Sequence, residues 1–466
     1  MADYLLTVGL EVHAELKTRT KMFCNSANDP DEKRPNVNIC PICMGHPGTL
    51  PTINEQAVKS VLRVGLAVNG TLAGDFTEFD RKNYFYPDIP KGYQISQYEH
   101  PLVKGGELAG VKLTRIHLEE DTARSQHGDQ GRSLVDFNRA GVPLMELVTE
   151  PVITTAVQAG NFARELQLLM RYLDVSEANM EKGEMRVEAN ISISPKTTFE
   201  SSEKVVFGTK VEVKNLNSFR SVERAIEYEI KRQGELLDKG EKVAQETRGW
   251  DEVKETTFSQ REKESSHDYR YFPEPDLPKL RLKDLPWFAD LPNTIPELPW
   301  QKRERYQNLG LKSEDVEQYV SDFKLAAFID AVIAELKESE LIKVASNFIA
   351  NDVAGKRKKE VDLPDGKAGW LPDVKVFIAV VRKYHNKELP SPQAKSSILN
   401  GVIAEVVSDD SLASMIEKII ADNPKAVAEY KSGKAESLQF LIGQGMKLSR
   451  GSANPQTLSE LFKKML

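Results

Sequence analysis

A proline-rich passage divides the sequence into two parts whose apolar residues repeat with different periods. It runs from 272 to 300 (FPEPDLPKLRLKDLPWFADLPNTIPELPW), and so many prolines exclude a long helix or a central strand there. Before it, short segments alternate between apolar and polar residues, as in MRVEANISIS at 185–194. After it, apolar residues follow helical spacing, as at Phe323, Ala326 and Ala327.

This change predicts an α+β fold with a domain boundary at the prolines. We expect an antiparallel, β-rich domain over 1–292 that also contains helices at 155–173 and 218–237. An all-helical domain should follow at 293–408. A weaker break at the sequence SDDS predicts a small helical domain at 409–466.

The composition permits large cores and gives no global attraction to nucleic acid. The chain has 466 residues, is 40% hydrophobic and carries a formal net charge of −7. Its start, MADYLLTVGLEVH, lacks the basic region of a signal peptide, and no stretch of about 18 apolar residues occurs. We therefore expect a cytoplasmic protein without a membrane span.

Three segments of the first part carry ionisable residues where strands are predicted. In GLEVHAELKT (9–18), Glu11, His13 and Glu15 share one face of a strand. TRIHLEEDTARS (114–125) alternates in the same way, and a third segment puts Glu146 inside the apolar run PLMELV. If the first segment stood by itself, an edge strand with a solvent-exposed polar face would explain its ionisable residues. An acid among Leu, Met and Val is costly to bury without a partner.

If these carboxylates converge, a cation must offset their repulsion. Two carboxylates about 5 Å apart repel by roughly 3 kcal/mol at an effective dielectric constant near 20. A divalent cation such as Mg²⁺ accepts oxygen ligands and an occasional His, and this is the interpretation we favour. A buried network using Arg115, Arg124 and Arg139 is the alternative; it would explain the acids but not the histidines.

The three cysteines are too few for a disulfide framework. Cys24, Cys40 and Cys43 have the spacing of an incomplete zinc knuckle, and His46 could supply a fourth ligand. A reduced loop without metal is the favoured interpretation.

The C-terminal segment is locally basic. Residues 411–466 contain eight Lys and Arg against five Asp and Glu, a balance of +3, while the rest of the chain is at −10. Lys447 and Arg450 lie among glycines near a predicted helix end, where an RNA phosphate could approach. A second basic run, KRKK, occupies 356–359. A solvated helix face would explain each run equally well when it is considered alone.

Several motifs give the chain a close resemblance to the GatB/GatE family, the B-type subunits of tRNA-dependent amidotransferases. The motifs are TVGLEVHAELKT, RKNYFYPDIPKGYQISQYEHPL, RIHLEEDTARSQH, DFNRAGVPLMELVTEP, VEVKNLNSFRSVERAIEYEI and DYRYFPEPDLP. The resemblance runs in order from residue 5 to the C-terminus. The absence of a large insertion after the middle of the sequence favours the bacterial type.

The resemblance implies a glutamine-synthetase-like cradle, a helical domain and a YqeY-like, tRNA-binding tail. It also implies a carbon–nitrogen ligase that uses glutamine as amido donor. ATP would phosphorylate the side-chain carboxylate of Glu on tRNA(Gln) or of Asp on tRNA(Asn), and ammonia would then displace the phosphate. The sequence does not say which of the two tRNAs is served. A ligase for a free carboxylate and a tRNA-binding scaffold with a decayed site are rival hypotheses.

The expected cofactors are ATP and Mg²⁺, and the expected partners are two further polypeptides that complete a GatCAB-type heterotrimer. No glycine- and serine-rich amidase signature occurs in the chain, so by resemblance an A-type amidase partner supplies the ammonia and a small C-type partner braces the assembly. The chain also has no G-x-x-x-x-G-K-[ST] loop and no G-x-G-x-x-G, so a carboxylate and metal cradle is the remaining way to hold ATP.

Site residues carry over from the family motifs by position. Catalytic roles fall on Glu11, His13, Glu120 and Glu146, of which the last three are the expected Mg²⁺ ligands. Strict alternation of the strand would instead put Glu119 on the site's face, so the mapping to Glu120 requires a bulge.

The same carry-over gives nucleotide- or substrate-binding residues. These are Lys82 for phosphates, Tyr84 or Tyr86 for base stacking, and Arg186 and Lys214. Aromatic packing between strands would explain either tyrosine, and cross-strand ion pairs would explain Arg186 and Lys214.

In one place the chain departs from the family pattern. Many relatives have a cysteine two residues after the first, where this chain has Ser26. The resemblance therefore allows zinc at Cys24, Cys40 and Cys43 but does not lead us to expect it.

Overall fold

The computed structural model describes residues 4–127, 132–196, 207–262, 269–361, 370–403, 409–449, 453 and 455–466. The chain divides into two compact units, Met1–Leu298 and Pro299–Leu466. The division falls inside the proline-rich passage, a few residues beyond the expected boundary at 292/293.

The first unit combines strands with a few helices. Its helices are α1 (Glu55–Ala67), α2 (Ala156–Tyr172) and α3 (Phe219–Asp238). Its strands are β1 (Tyr4–Glu15), β2 (Thr71–Leu72), β3 (Asp80–Asn83), β4 (Tyr93–Ser96), β5 (Val103–Lys104), β6 (Glu107–Leu108), β7 (Val111–Glu120), β8 (Arg124–His127), β9 (Ser133–Asp136), β10 (Pro143–Thr149), β11 (Met185–Pro195), β12 (Val211–Leu216), β13 (Glu246–Asp251), β14 (Thr256–Glu262) and β15 (Phe272–Pro273). Within the described residues, ten strands form one sheet in the order β14-β13-β12-β11-β1-β10-β7-β5-β2, with β6 paired to β7.

Strand β1 lies in the middle of this sheet, between β11 and β10, and buries one row of apolar side chains. Val8, Leu10, Val12 and Ala14 are completely buried. Each buried Val or Leu side chain contributes about 1.5–3 kcal/mol relative to an exposed one. Alternation then places His13 and its ionisable neighbours on the opposite face.

Helix α3 covers the apolar face of the sheet. It begins at Ser218, whose hydroxyl accepts a hydrogen bond from the Ser221 backbone N–H. Its Gly234 packs close to the side chain of Ile193, which belongs to the buried row of β11. The polar row of the sheet therefore lies on the side away from α3. The predicted helices at 155–173 and 218–237 match α2 and α3 within a residue at each end.

One pair of strands in the large sheet departs from the expected antiparallel pattern. Strands β12 and β13 pair in parallel, with Glu212 opposite Thr247. Their connection contains α3, and a helical crossover returns the chain in the same direction.

A three-stranded sheet, β15-β3-β4, lies close to the end of β7. The Gln94 side-chain amide in β4 donates a 2.7 Å hydrogen bond to the Glu120 carbonyl. The backbone N–H of Asn83 in β3 donates to the Tyr269 carbonyl at 2.9 Å. This small sheet brings residues near 82 and 270 toward the polar face.

The second unit is helical. Its described helices are α4 (Pro299–Asn308), α5 (Ser313–Ser321), α6 (Phe323–Leu336), α7 (Ser339–Phe348), α8 (Ala354–Val361), α9 (Val374–His385), α10 (Ser391–Asn400), α11 (Asp409–Asp422), α12 (Pro424–Lys431), α13 (Ala435–Leu448) and α14 (Pro455–Met465). A hydrophobic cluster that includes Ile416, Leu441 and Phe462 joins α11, α13 and α14, so the C-terminal helices have a core of their own. Among the described residues, no helix is both long enough and apolar enough to span a bilayer.

Candidate active site

A row of ionisable side chains crosses the centre of the polar face. His13 of β1 is the register partner of Glu146 in β10 on one side and of Arg186 in β11 on the other. Glu146 in turn pairs with His117 of β7. The order across the sheet is therefore His117, Glu146, His13, Arg186. The alternation of each strand places these residues on one face.

The side chains in this row converge with two more acids. The Nε2 atom of His13 lies 3.7 Å from Glu11 Oε1, 3.8 Å from Glu119 Oε1 and 3.5 Å from Glu146 Oε2. The Nε2 atom of His117 lies 3.4 Å from the same Glu146 oxygen. These distances exceed the usual N–H···O range of about 2.7–3.2 Å.

The donor set fits a hard divalent cation. Glu11, His13 and Glu146 offer ligand atoms that lie within 4.8 Å of one another, and so do His117, Glu119 and Glu146. Ligands about 2.1 Å from one Mg²⁺ lie about 3.0 Å apart when adjacent and about 4.2 Å apart when opposite. Carboxylate oxygens with one or two imidazoles are a suitable set for such an ion.

The expected ligand Glu120 is not in this cluster, and Glu119 is. The register of β7 with β10 is regular from Arg115 to Glu120, so the bulge that would have turned Glu120 toward the site is absent from this described stretch. The Glu120 carboxylate instead accepts hydrogen bonds from Lys91 Nζ at 2.6 Å and from the Ile95 N–H at 2.9 Å. It lines a separate cavity together with Cys43.

His117 was not among the expected site residues, and Glu119 was considered only as the alternative to Glu120. The alternation of RIHLEED indicated both, because His117 and Glu119 share a strand face. Glu119 also accepts a hydrogen bond from the Ser96 hydroxyl at 3.1 Å, which holds its carboxylate in place.

The concentration of acids changes the proton affinities in the cluster. Burial and the neighbouring charge of Glu146 raise the pKa of Glu11 to about 7. Burial alone would lower the pKa of His13, but its interaction with Glu146 and the charges of Glu119 and Glu11 outweigh burial and raise it to about 9. The pKa of Glu146 is held well below its usual range, because the two histidines outweigh the effect of its burial. The site therefore attracts positive charge.

Lys82 supplies a cation beside the cluster. Its Nζ lies 5.2 Å from the ring centroid of Tyr269 and 6.0 Å from that of Tyr84. Burial would lower its pKa, but the charges of Glu119 and Glu146 raise it. Among the described residues, no carboxylate oxygen lies within 4.0 Å of the Nζ atom of Lys82. Its charge is thus available to an anionic ligand.

The two tyrosines expected to stack on a base differ in exposure. The Tyr84 hydroxyl donates a 3.2 Å hydrogen bond to Gln94 Oε1, and its ring makes edge contacts with Tyr86 and Tyr269. Tyr86 is 60% exposed. Tyr86 therefore offers a ring face to a ligand, while Tyr84 is part of the wall around Lys82.

The other two expected nucleotide-binding residues are held by acids. The Arg186 guanidinium donates to Asp121 at 3.0 and 3.1 Å, and Lys214 Nζ lies 2.8 Å from Glu188 Oε2. Burial would raise the pKa of Asp121, but the charge of Arg186 outweighs it and lowers the pKa to about 2. The ion-pair alternative describes the contacts of Arg186 and Lys214 in this structure.

The three cysteines form one cluster. Their sulfur atoms lie within 4.8 Å of one another, and this group does not include His46. Lys21 is completely buried beside them, with its Nζ 3.8 Å from Cys43 Sγ, and the Ser26 hydroxyl lies 3.9 Å from the same sulfur. An ammonium group thus supplies positive charge to the thiols. The three sulfurs supply three of the four ligands that a tetrahedral structural zinc site requires.

The C-terminal basic residues are only partly described. Lys447 is exposed in the last turn of α13. A Cβ atom added to the nearby Gly443 would have no atom within 4 Å, apart from its chain neighbours and the backbone of its own helix. Arg450 lies outside the described residues. In the run KRKK, Lys356 donates to the Leu399 carbonyl and Arg357 pairs with Asp322 at 2.8 Å, so half of that run has structural contacts.

Comparison with known proteins assigns the chain to a family. The model described as the GatB/GatE catalytic domain matches residues 6–286. A second model, described as the GatB domain, matches residues 327–466. The chain belongs to the GatB/GatE family. The second match covers the C-terminal YqeY-like region of the family and is longer than the expected tail at 409–466.

Similar proteins in the GatB/GatE family carry amidotransferase names. A protein of Dehalococcoides mccartyi, named as the B subunit of aspartyl/glutamyl-tRNA(Asn/Gln) amidotransferase, is 42% identical, over 100% of this chain and 99% of its own length. One with the same name from Thermoanaerobacter pseudethanolicus is 40% identical over 99% of both chains. The B subunit of a chloroplastic/mitochondrial glutamyl-tRNA(Gln) amidotransferase of Sorghum bicolor is 40% identical, over 98% of this chain and 86% of its own.

Proposed function

We propose that this chain is the ATP-dependent subunit of a tRNA-dependent amidotransferase. It would phosphorylate the side-chain carboxylate of a misacylated Glu-tRNA(Gln) or Asp-tRNA(Asn) and convert it into the amide. The observation that carries the proposal is the cluster of His13, Glu146 and neighbouring acids on the polar face of the first unit, with Lys82 beside it. The family's cradle is expected to share the fold of glutamine synthetase, which performs the same class of reaction.

The cluster supplies what phosphoryl transfer to a carboxylate requires. The donor and acceptor are both anions, so catalysis depends on alignment and on neutralised charge. A Mg²⁺ ion held by His13, Glu146 and either Glu11 or Glu119 would neutralise phosphate charge. The ammonium group of the half-buried Lys82 would bind a phosphate oxygen, since no described carboxylate within 4.0 Å competes for it.

The proposed chemistry runs in two steps. An oxygen of the substrate carboxylate attacks the terminal phosphorus of ATP and the bond to ADP breaks, which gives an acyl phosphate. Ammonia then attacks the carbonyl carbon and inorganic phosphate leaves with the C–O bond electrons. A proton from the attacking nitrogen passes to solvent or to a basic group.

The ammonia is proposed to come from a partner. We propose an A-type amidase partner that releases ammonia from glutamine and a small C-type partner that completes a heterotrimer. The relatives' names support a multi-subunit enzyme, because each is named as the B subunit of an amidotransferase. The C-terminal helices around Lys447 would bind the tRNA, a role their exposed basic residue supports.

Replacing Glu146 tests the proposal. With the chain reconstituted with both partners, Glu146→Gln should abolish ADP formation that depends on misacylated tRNA and leave tRNA affinity nearly unchanged. Glu150→Gln is the matched control, since Glu150 follows β10 and its carboxylate accepts a hydrogen bond from Thr114 at 2.7 Å. Unaltered ADP formation by Glu146→Gln would reject the site.

Two further arms separate the rival functions. A ligase for free carboxylates would form ADP without RNA, whereas the proposed enzyme requires the aminoacylated tRNA. Supplying Glu-tRNA(Gln) and Asp-tRNA(Asn) separately would identify the substrate by which one gains an amide.

A further inference from the structure

Neighbouring residues of β3 point in opposite directions, so Lys82 and Arg81 have different surroundings. Lys82 lies beside the acid cluster, whereas the Arg81 guanidinium donates two hydrogen bonds to Glu274, from Nε and from Nη2, each at 2.7 Å. We propose that Arg81 and Glu274 are positioning residues: they hold the segment 269–276, here called the strap, against β3 and so fix the ammonium group of Lys82 beside the cluster. The consequence for catalysis rests on the proposed function, but the positioning itself does not.

Strand β3 is held unequally on its two sides. Toward β4 it forms four register pairs, from Asp80 with Ser96 to Asn83 with Tyr93. Toward β15, which is part of the strap, it forms two, and one of these is with Pro273, which has no backbone N–H to donate. Side chains therefore have to supply much of the attachment of the strap to β3.

The pair between Arg81 and Glu274 has the geometry of a strong attachment. Its two hydrogen bonds are charge-assisted and run in parallel, which fixes orientation as well as distance. The Glu274 side chain is completely buried, and that of Arg81 is 20% exposed. The guanidinium also lies 4.3 Å from the ring centroid of Tyr93 and donates to Asp276 at 3.2 Å. Strand β4 and the strap thus both contact Arg81.

The other end of the strap contacts Lys82. The backbone N–H of Asn83 donates to the Tyr269 carbonyl at 2.9 Å, and the Asn83 side-chain amide donates to the Arg270 carbonyl at 2.8 Å. The ring centroid of Tyr269 lies 5.2 Å from Lys82 Nζ. Arg270 has a φ of 44°, in the left-handed region that residues with a side chain rarely adopt, so attachments on both sides have to hold this turn. If the attachment at Glu274 is lost, we expect the turn to relax and Tyr269 to move away from Lys82.

Competitive acetylation with acetic anhydride, followed by mass spectrometry, measures the exposure of Lys82 without any activity. In the full-length chain, Glu274→Gln should raise the acetylation of Lys82 several-fold relative to the exposed Lys104, because the strap no longer packs beside the ammonium group. Arg81→Lys keeps the charge but not the two parallel hydrogen bonds, so it should raise the acetylation less. Unchanged acetylation of Lys82 in both variants would overturn the proposal.

The pair between Arg232 and Glu229 provides a matched control. It also has two parallel hydrogen bonds, at 2.9 and 2.8 Å, its carboxylate side chain is completely buried and its guanidinium side chain is 18% exposed. Both residues belong to α3, which covers the apolar face of the sheet. Glu229→Gln should lower the melting temperature and leave the acetylation of Lys82 at the parent level. An equal rise in Glu229→Gln and Glu274→Gln would show that a general loss of stability exposes Lys82, and would overturn the proposal.

A kinetic cycle tests the consequence for catalysis. With both partners present, Glu274→Gln should lower the rate of tRNA-dependent ADP formation by about tenfold, because a displaced cation loses part of its effect on the phosphate. In the Lys82→Met background the same substitution should change the rate by less than about twofold, since no ammonium group is left to position. The same fold-loss in both backgrounds would contradict the link between Glu274 and Lys82.

The two readouts separate this inference from the proposed function. A parent chain that forms no ADP with misacylated tRNA, but whose Lys82 becomes exposed in Glu274→Gln, would reject the function and leave the positioning standing. A parent chain that forms ADP, with the acetylation of Lys82 unaffected by Glu274→Gln and Arg81→Lys, would do the reverse.

Discussion

The imidazole of His13 and the carboxylate of Glu146 face each other across the β1–β10 ladder, with Nε2 and Oε2 3.5 Å apart. The two residues are 133 positions apart in the sequence and are register partners in the sheet. Backbone pairing therefore sets their separation, and no loop is needed to bring them together. A site built on strands is held more rigidly than one built on loops, which suits a reaction that depends on alignment.

Lys82 should be needed for ATP turnover. Lys82→Met should lower the rate of tRNA-dependent ADP formation by about 10²–10³-fold, because a half-buried cation next to the proposed phosphate position would act at a lower effective dielectric constant than in water. The measurement is the steady-state rate with both partners present. Lys104→Met, at an exposed lysine of strand β5, is the control and should keep the rate. Equal rates for both variants would contradict a role for Lys82 in phosphate binding.

Arg186 should matter for stability. Its guanidinium donates to the buried Asp121, so Arg186→Met should lower the free energy of unfolding by about 2–4 kcal/mol, less than a fully buried pair would lose because Arg186 is partly exposed. Urea unfolding followed by circular dichroism measures the loss. Adding Asp121→Asn to the variant should recover part of it. A single variant as stable as the parent would show that the ion pair does not stabilise the fold.

The helical unit should lose stability at alkaline pH through Tyr319. This side chain is completely buried and its hydroxyl lies 2.8 Å from the Ser346 hydroxyl; burial raises its pKa. The folded state thus favours the protonated phenol, so stability is unchanged below the unfolded pKa of about 10 and falls above it by up to about 1.4 kcal/mol per pH unit. Urea unfolding between about pH 8 and 11 should show this fall, which Tyr319→Phe should reduce. If the free energies of unfolding of the parent and of Tyr319→Phe fell with pH along parallel curves, Tyr319 would not be the cause of the fall.

Lys447 should contribute to tRNA affinity through charge. Lys447→Gln should weaken binding and reduce the slope of log K against log salt by about 0.7–0.9, the value for one lost phosphate contact. Filter binding over a range of salt concentrations gives the slope. Lys254→Gln, at an exposed lysine of the β13–β14 turn in the first unit, is the comparison. An unchanged slope for Lys447→Gln would exclude a phosphate contact at this residue.

Local sequence patterns predicted which residues share the polar face of the sheet better than they predicted which side chains contact one another. Alternation in GLEVHAELKT and the acid inside PLMELV indicated that His13 and Glu146 belong to a buried polar site, and they are register partners. The choice between Glu119 and Glu120 depended on whether β7 carries a bulge, which the backbone register decides. The helices after the proline-rich passage were predicted from the helical spacing of their apolar residues.

Other features could not be predicted because they depend on residues far apart in the chain. The rings around Lys82 include Tyr269, which comes close only through the pairing of β15 with β3. The same holds for Arg186, whose partner Asp121 lies 65 residues away. The residue type of Arg186 could not decide whether it binds Asp121 or a phosphate group, because a guanidinium group forms hydrogen bonds with either.

The central place of β1 has a consequence for synthesis on the ribosome. This strand is translated before the other described strands, yet its two neighbours, β10 and β11, end only at Thr149 and Pro195. Until both have been translated, the four apolar side chains that β1 buries completely in the folded protein have no complete sheet to join, and such exposed strands promote aggregation. We therefore expect the nascent chain to expose this apolar segment until β11 has been made.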